Sequence, residues 1–180
     1  MPNWIRKSTL DPLAVSMSGV KLGDRLLVVG CGDPVLIAKL GSKAGLTGRA
    51  CAVDENEARA QEAARVAQRE GVLIETAHAP GLRIPYGDDD FDVVIVRATV
   101  APGPLVPEAV SEARRLLRPG GRAVAIAGVA SRGLSGLLAK RVASDAQRVT
   151  GMFTGAGFLA VRTLAEREGM LFVEGVKKNL

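Results

Sequence analysis

The sequence predicts a doubly wound α/β domain, and three observations carry that prediction. Short apolar runs alternate with helix-forming segments from Arg25 to Ala127. The links between them are short, so successive strands are joined by crossover helices and lie parallel. Nearer the C-terminus, two apolar runs are separated by only Ala165-Glu166-Arg167-Glu168-Gly169. That link cannot hold a crossover helix, so those two strands pair antiparallel.

In chain order, Asp11-Pro12 opens a short helix, and Arg25-Leu26-Leu27-Val28-Val29 follows as a strand apolar on both faces, hence central. It ends at Gly30-Cys31-Gly32-Asp33-Pro34, where Asp33 suits a helix N-cap and Pro34 the first helical position. Arg49 to Asp54 reads as the second strand, and Glu55 to Glu70, rich in Ala, Glu, Arg and Gln, as a helix stopped by Gly71. Val72 to Ala77 predicts a third strand and Phe91 to Val96 a fourth, with a loop through Pro80-Gly81 and Asp88-Asp89-Asp90 between them. A helix over Pro107 to Leu117 ends at Pro119-Gly120-Gly121, ahead of a strand at Arg122 to Ala127. Phe158 to Leu164 and Met170 to Val176 are the antiparallel pair. No repeat or linker divides the chain, so one domain over residues 1–180 is expected, with 1–20 as an N-terminal segment.

Composition narrows the class further. With 180 residues and 47% hydrophobic side chains, the chain can bury a core that needs no disulfide or structural metal. Cys31 and Cys51 are expected as free thiols. They and His78 lack paired ligand spacing, so no metal site is expected. The formal charge of +5 is spread among 24 basic and 19 acidic residues, and aromatics are 3%. Neither feature signals a nucleic-acid surface. The first residues lack a secretory pattern, and no apolar run nears the roughly 18 residues needed to cross a bilayer. A cytoplasmic protein is the expectation.

In open α/β sheets a ligand binds beyond the carboxyl ends of the strands, where strand order reverses. The strand ends here are Gly30-Cys31-Gly32, Asp54-Glu55, Ala77-His78-Ala79 and Arg97-Ala98-Thr99. Gly30 and Gly32 let backbone approach a ligand, and Asp54 is placed to accept both hydroxyls of a ribose. A dinucleotide fingerprint needs Gly or Ala three positions after the second glycine, and Val35 stands there. That disfavours a nicotinamide-dependent oxidoreductase. No phosphate-cradling Gly-Lys-Ser/Thr loop is present.

With these elements in order, the chain resembles the class I S-adenosylmethionine-dependent methyltransferases, in particular the small-molecule, type 11-like members. The resemblance covers about residues 20 to 177 and rests on an ordered set of segments. These are Leu27-Val28-Val29-Gly30-Cys31-Gly32, Asp54, Ile84-Pro85-Tyr86-Gly87-Asp88-Asp89-Asp90-Phe91-Asp92-Val93-Val94, Arg115-Leu116-Leu117-Arg118-Pro119-Gly120-Gly121, and Gly155-Ala156-Gly157-Phe158. The resemblance implies a Rossmann-like sheet of seven strands, order 3-2-1-4-5-7-6, with the seventh strand antiparallel. It also implies methyl transfer from S-adenosylmethionine to a small acceptor. Gly30, Cys31 and Gly32 would pass under the cofactor's methionine and ribose, Asp54 would hold the ribose, and Glu55, His78 and Ala79 would border the adenine. Arg97 would lie near the amino-acid part of the cofactor or the acceptor. The chain departs from the family at Val28, where an acidic residue is usual, at Pro34, where a third glycine is frequent, and at His78, where Asp is common.

Plainer readings stand beside these. Asp54 could cap the next helix, Cys31 could be a packed small residue, and His78 a loop residue. Arg97 could face a cofactor carboxylate, an acceptor group or a structural Asp. Asp88-Asp89-Asp90 reads as a solvated turn, and Arg114, Arg115 and Arg118 as a solvated helix face. Leu134, Leu137, Leu138 and Val142 suggest either an amphipathic lid within 129–145 over a lipophilic acceptor or ordinary core packing. The in-line displacement rests on positioning and needs no dedicated nucleophile. Tyr86, His78 and the loop Asp residues are the candidate bases. Without the family's amino-methylating signature, an oxygen or carbon acceptor is favoured. A degenerate, non-catalytic binding domain of the same fold is the alternative.

Overall fold

The computed structural model describes residues 11–97, 107–128, 135–167 and 169–179. Twelve elements follow in order: α1 (Asp11–Met17), β1 (Arg25–Val29), α2 (Pro34–Ala44), β2 (Arg49–Asp54), α3 (Glu57–Arg69), β3 (Glu75–His78), β4 (Phe91–Arg97), α4 (Pro107–Leu116), β5 (Leu117–Gly128), α5 (Ser135–Gly155), β6 (Leu159–Arg167) and β7 (Met170–Val176). The strands form one seven-stranded sheet of order β3-β2-β1-β4-β5-β7-β6. β3, β2, β1, β4 and β5 are parallel, and β7 runs antiparallel to both β5 and β6. This is the predicted fold class.

The uniformly apolar central strands have a simple cause: both faces of the sheet are covered. Successive residues of a strand point to opposite faces. Leu27 and Val29 join Ala109, Val110, Ala113, Val149 and Phe153 of α4 and α5 in one core. Leu26 and Val28 join Ala14, Leu36, Ile37, Leu40 and Ala63 of α1 to α3 in the other. Each fully buried leucine contributes on the order of 2 kcal/mol.

Several boundaries shift from the sequence reading, each for a local reason. Val72 lies in the closing turn just after α3, because Gly71 at φ +69° turns the chain left-handed. The Val72 and Gly71 amides then bond the Ala67 and Gln68 carbonyls at 2.9 and 3.1 Å, the paired closure of a Schellman motif. Leu73 is left 78% exposed, and the ladder begins only at Glu75. β5 starts earlier than predicted: Leu117 pairs with Phe91, and the register slips before Val93 meets Arg122. Pro119-Gly120-Gly121 is therefore an irregularity inside a strand, and Arg118 lies on that strand, not on a helix. β6 runs on to Arg167 opposite Met170, so the link between the antiparallel strands is shorter than the five residues predicted.

The acidic turn is not solvated freely, as predicted, but ion-paired. Asp88 meets Arg115 at 2.7 Å, Asp89 meets Lys177 at 2.6 Å, and Asp90 meets Arg49 at 3.0 Å and also Arg25. Arg115 also holds Glu112 at 2.5 Å and the Tyr86 carbonyl at 3.0 Å. These carboxylates hold its guanidinium charge more firmly than usual. It is a clamp between α4 and the turn, not part of a solvated face.

Of the N-terminal segment, 11–20 is described and opens with α1, as predicted; residues 1–10 lie outside the described residues. So do Ala98 and Thr99, and 129–134 of the lid segment, whose remainder opens α5.

Candidate functional site

From β1 the chain crosses to α2 on one face of the sheet, while α4, which follows β4, lies on the other. The carboxyl ends of β1 and β4 therefore flank the topological switch point. Gly30 and Arg97 meet there. Gly30 has φ +100°, and a Cβ on it would come within 3.1 Å of the Arg97 carbonyl and 3.3 Å of its Cβ. Only glycine lets the turn pass so close to β4 in this backbone conformation. The Gly30 amide bonds the Val53 carbonyl at 2.8 Å, which ties the turn to β2 as well.

Asp54 ends β2 and is 4% exposed. Its Oδ2 accepts the Cys31 amide at 2.7 Å, and its Oδ1 accepts the Asn56 amide at 2.7 Å. Arg59, one turn into α3, approaches the same Oδ1 through Nε at 2.9 Å and Nη2 at 2.8 Å. Burial opposes the Asp54 charge, but hydrogen bonds from Arg59 and the two amides outweigh it and hold the carboxyl below its ordinary range. The cap of α3 is Asn56, whose side chain accepts the Arg59 amide. Asp54 is therefore not the helix cap; it fastens the glycine turn to the second crossover.

The other predicted residues fall around this centre with different roles. Gly32 is half-buried in the turn. Cys31 is buried among α1 to α3 residues, and burial, with Asp54 nearby, pushes its thiol up to about 12. Only its amide faces Asp54, as the packing reading anticipated. Cys31 and Cys51 are both free. Glu55 is exposed, and its carbonyl lies 2.9 Å from His78 Nε2. A carbonyl only accepts, so Nε2 carries the proton in that contact. His78 is the last residue of β3, opposite Asp54. Ala79 packs into the α4/α5 core and its amide bonds the Asp54 carbonyl at 2.9 Å.

Arg97 has its side chain 6% exposed, with Nη2 3.7 Å from Asp33 Oδ2. Asp33 also caps α2 through the Leu36 amide at 3.1 Å. A structural Asp, one of the three anions open to Arg97 in the sequence, is thus beside it. The sequence reading missed Arg59; its position just past an Asn cap, five residues after Asp54, is the signal that was available.

The other candidate bases, Tyr86 and the three loop Asp residues, are elsewhere. The Tyr86 ring packs edge-on to Phe91 at 5.2 Å and lies under the Arg49 guanidinium at 5.2 Å, where β2 and β4 begin. Asp88, Asp89 and Asp90 sit at that same end. Neither Tyr86 nor the acidic turn can serve a ligand at Gly30, which leaves His78 from the predicted set. Among the described residues no cluster of His, Cys, Asp and Glu could hold a metal ion.

A family model described as a methyltransferase domain matches residues 27–125, more than half of the chain. The methyltransferase GfsG of Streptomyces halstedii is 32% identical over 143 residues, 72% of this chain and 50% of that protein. The 27-O-demethylrifamycin SV methyltransferase of Amycolatopsis mediterranei is 31% identical over 93% of this chain and 58% of its own length. The chain thus spans about half the length of these relatives. A SAM-dependent methyltransferase structure from Aquifex aeolicus shares the fold with a TM-score of 0.72 at 17% identity, covering 92% of this chain and 88% of that one. The [4+2]-cyclase SpnF shares it at 0.71 and 17%, covering 96% and 81%, so the fold by itself does not fix the reaction. With the family match spanning the glycine turn, Asp54 and all or part of the five parallel strands, the chain belongs to the methyltransferase domain family.

Proposed function

We propose that this chain binds S-adenosylmethionine at the switch point and directs methyl transfer to a small, lipophilic acceptor at oxygen or carbon. The observation that carries this reading is Asp54: a buried carboxylate aimed by two main-chain amides, directly beside the Gly30 turn. A ribose diol presents two donors to such a carboxylate. Gly30, Cys31 and Gly32 bring backbone under the methionine and ribose. Glu55, His78 and Ala79 border the adenine end, and Arg97 offers a cation to the amino-acid end. The donor set fits a ligand that carries both a diol and a carboxylate.

Bound there, S-adenosylmethionine supplies an activated methyl group on a sulfonium. The chain's part is to hold and align: displacement is in line, and a pre-set geometry that excludes water lowers the barrier. The relatives support the acceptor class. One is a 27-O-demethylrifamycin SV methyltransferase, and another a ubiquinone/menaquinone biosynthesis C-methyltransferase of Ectopseudomonas oleovorans, 31% identical over 60% of this chain and 65% of its own. The lid within 129–145, a single domain over 1–180 and a cytoplasmic location belong to the same proposal; no described helix is long and apolar enough to cross a membrane.

Calorimetric titration with S-adenosylhomocysteine, followed by transfer of a labelled methyl to phenol and quinol probes, tests the reading. Micromolar binding and labelled ether or C-methyl product are expected. Binding without transfer to any probe leaves a non-catalytic binding domain, and no binding at millimolar concentration overturns the assignment.

A further inference from the structure

Resting on that cofactor reading, we propose that Arg59 is a built-in competitor for the cofactor's ribose and so sets how tightly the cofactor binds. A carboxylate offers about four acceptor sites. On Asp54 the donors are unevenly spread: the Cys31 amide alone reaches Oδ2, which keeps one position open, while the Asn56 amide, Arg59 Nε and Arg59 Nη2 crowd Oδ1. An incoming diol needs two of those sites. The two amides belong to the glycine turn and to the turn before α3, both fixed by the strands they leave. Arg59 is different in kind, because its guanidinium hangs on a long side chain that is 40% exposed and can rotate into water with its charge solvated. It is the donor that leaves.

The consequence is an inverted salt dependence. S-adenosylhomocysteine carries no net charge, and the Arg97 side chain that would meet its carboxylate is buried, where salt screens little, so salt has little direct effect on its binding. Salt does screen a half-exposed ion pair such as Arg59 with Asp54. Raising the salt therefore weakens the competitor and strengthens the ligand. Removing the guanidinium should do the same without salt.

The experiment is calorimetric titration of S-adenosylhomocysteine into the wild-type chain, Arg59→Met and Asp54→Asn, at low and high sodium chloride. Arg59→Met is expected to bind about fivefold more tightly than wild type at low salt, by the size of a partly exposed ion pair. Wild type is expected to tighten about two- to threefold with salt, and Arg59→Met to stay flat. The wild-type salt series needs no variant, so it decides even if Arg59→Met folds poorly. Equal or weaker binding by Arg59→Met, or wild-type binding that weakens with salt, overturns the proposal. If Asp54→Asn loses binding while Arg59→Met gains none, the cofactor reading stands and only the competitor falls. If wild type and Arg59→Met both fail to bind at either salt, the two fall together.

Discussion

The sheet's two ends differ in how their charges are satisfied. Where the parallel strands begin, cations and carboxylates neutralise one another in a web: Arg25 and Arg49 on Asp90, Arg49 on Glu75 at 2.8 Å, Arg115 on Asp88 and Glu112, Arg118 on Asp92 at 2.5 Å, Lys177 on Asp89. Where those strands end, the buried carboxylate of Asp54 is held mainly by main-chain amides and one half-exposed side chain. The web ties five strands and a turn together through side chains that face one another. The opposite end relies on two amides of rigid backbone and on two side-chain pairs, Asp54 with Arg59 and Arg97 with Asp33. The contrast teaches that two ends of one sheet can hold their charges by different means, one through paired side chains and the other largely through main-chain amides.

That contrast can be broken most forcefully at Gly30. Gly30→Ala adds a Cβ at φ +100° against the Arg97 backbone, and urea unfolding should show a loss of about 3 kcal/mol together with loss of ligand binding. Asp54→Asn tests the carboxylate itself. Replacing one acceptor by an amide leaves a donor facing a main-chain N–H, and S-adenosylhomocysteine affinity should fall about 30-fold, near 2 kcal/mol.

The sign with pH follows from the lowered Asp54 pKa. The charge contributes stability above the ordinary carboxylate pKa near 4 and loses it as pH falls through the lower folded value. The stability gap between wild type and Asp54→Asn should therefore be full at neutral pH and close in acid, as read by urea melts from pH ~7 to ~2.

At the other end, Asp90→Ala strips a shared partner from Arg25 and Arg49 and should cost about 1 kcal/mol, because these pairs are partly exposed. Its ligand affinity should be unchanged; a fall in affinity would show that the two ends are coupled. The smallest effect is expected at Cys31. With its thiol near 12 and buried, it should resist alkylation in the native protein at pH ~8, as judged by mass spectrometry, and react once unfolded.

Much of this was legible in the residues. Uninterrupted apolar runs mark strands buried on both faces, and the short link before Met170 dictated antiparallel pairing. Gly30, Asp54 and Arg97 could be placed because strand ends of a doubly wound sheet converge. What could not be read was side-chain partnership between segments far apart in sequence. Asp88 to Asp90 look like a polar turn until the starts of β1 and β2 bring Arg25 and Arg49 beside them. Tyr86 looked available as a base because its sequence neighbourhood says nothing of its stacking under Arg49. The start of β3 was misplaced because Val72 and Leu73 have strand-like side chains, while the backbone closure after Gly71 outweighs that preference.

The position of β7 between β5 and β6 bears on how the chain folds. As synthesis proceeds, β6 emerges before the strand that will separate it from β5, and the slot for residues 170–176 must stay open until they arrive. Docking β7 completes two ladders at once, with Leu171, Phe172 and Val173 all buried. Until then β5 presents an unpaired, apolar edge, the kind of surface that recruits chaperones or misassembles. Of the seven strands, the last in chain order is thus the one that joins the parallel part of the sheet to its antiparallel edge.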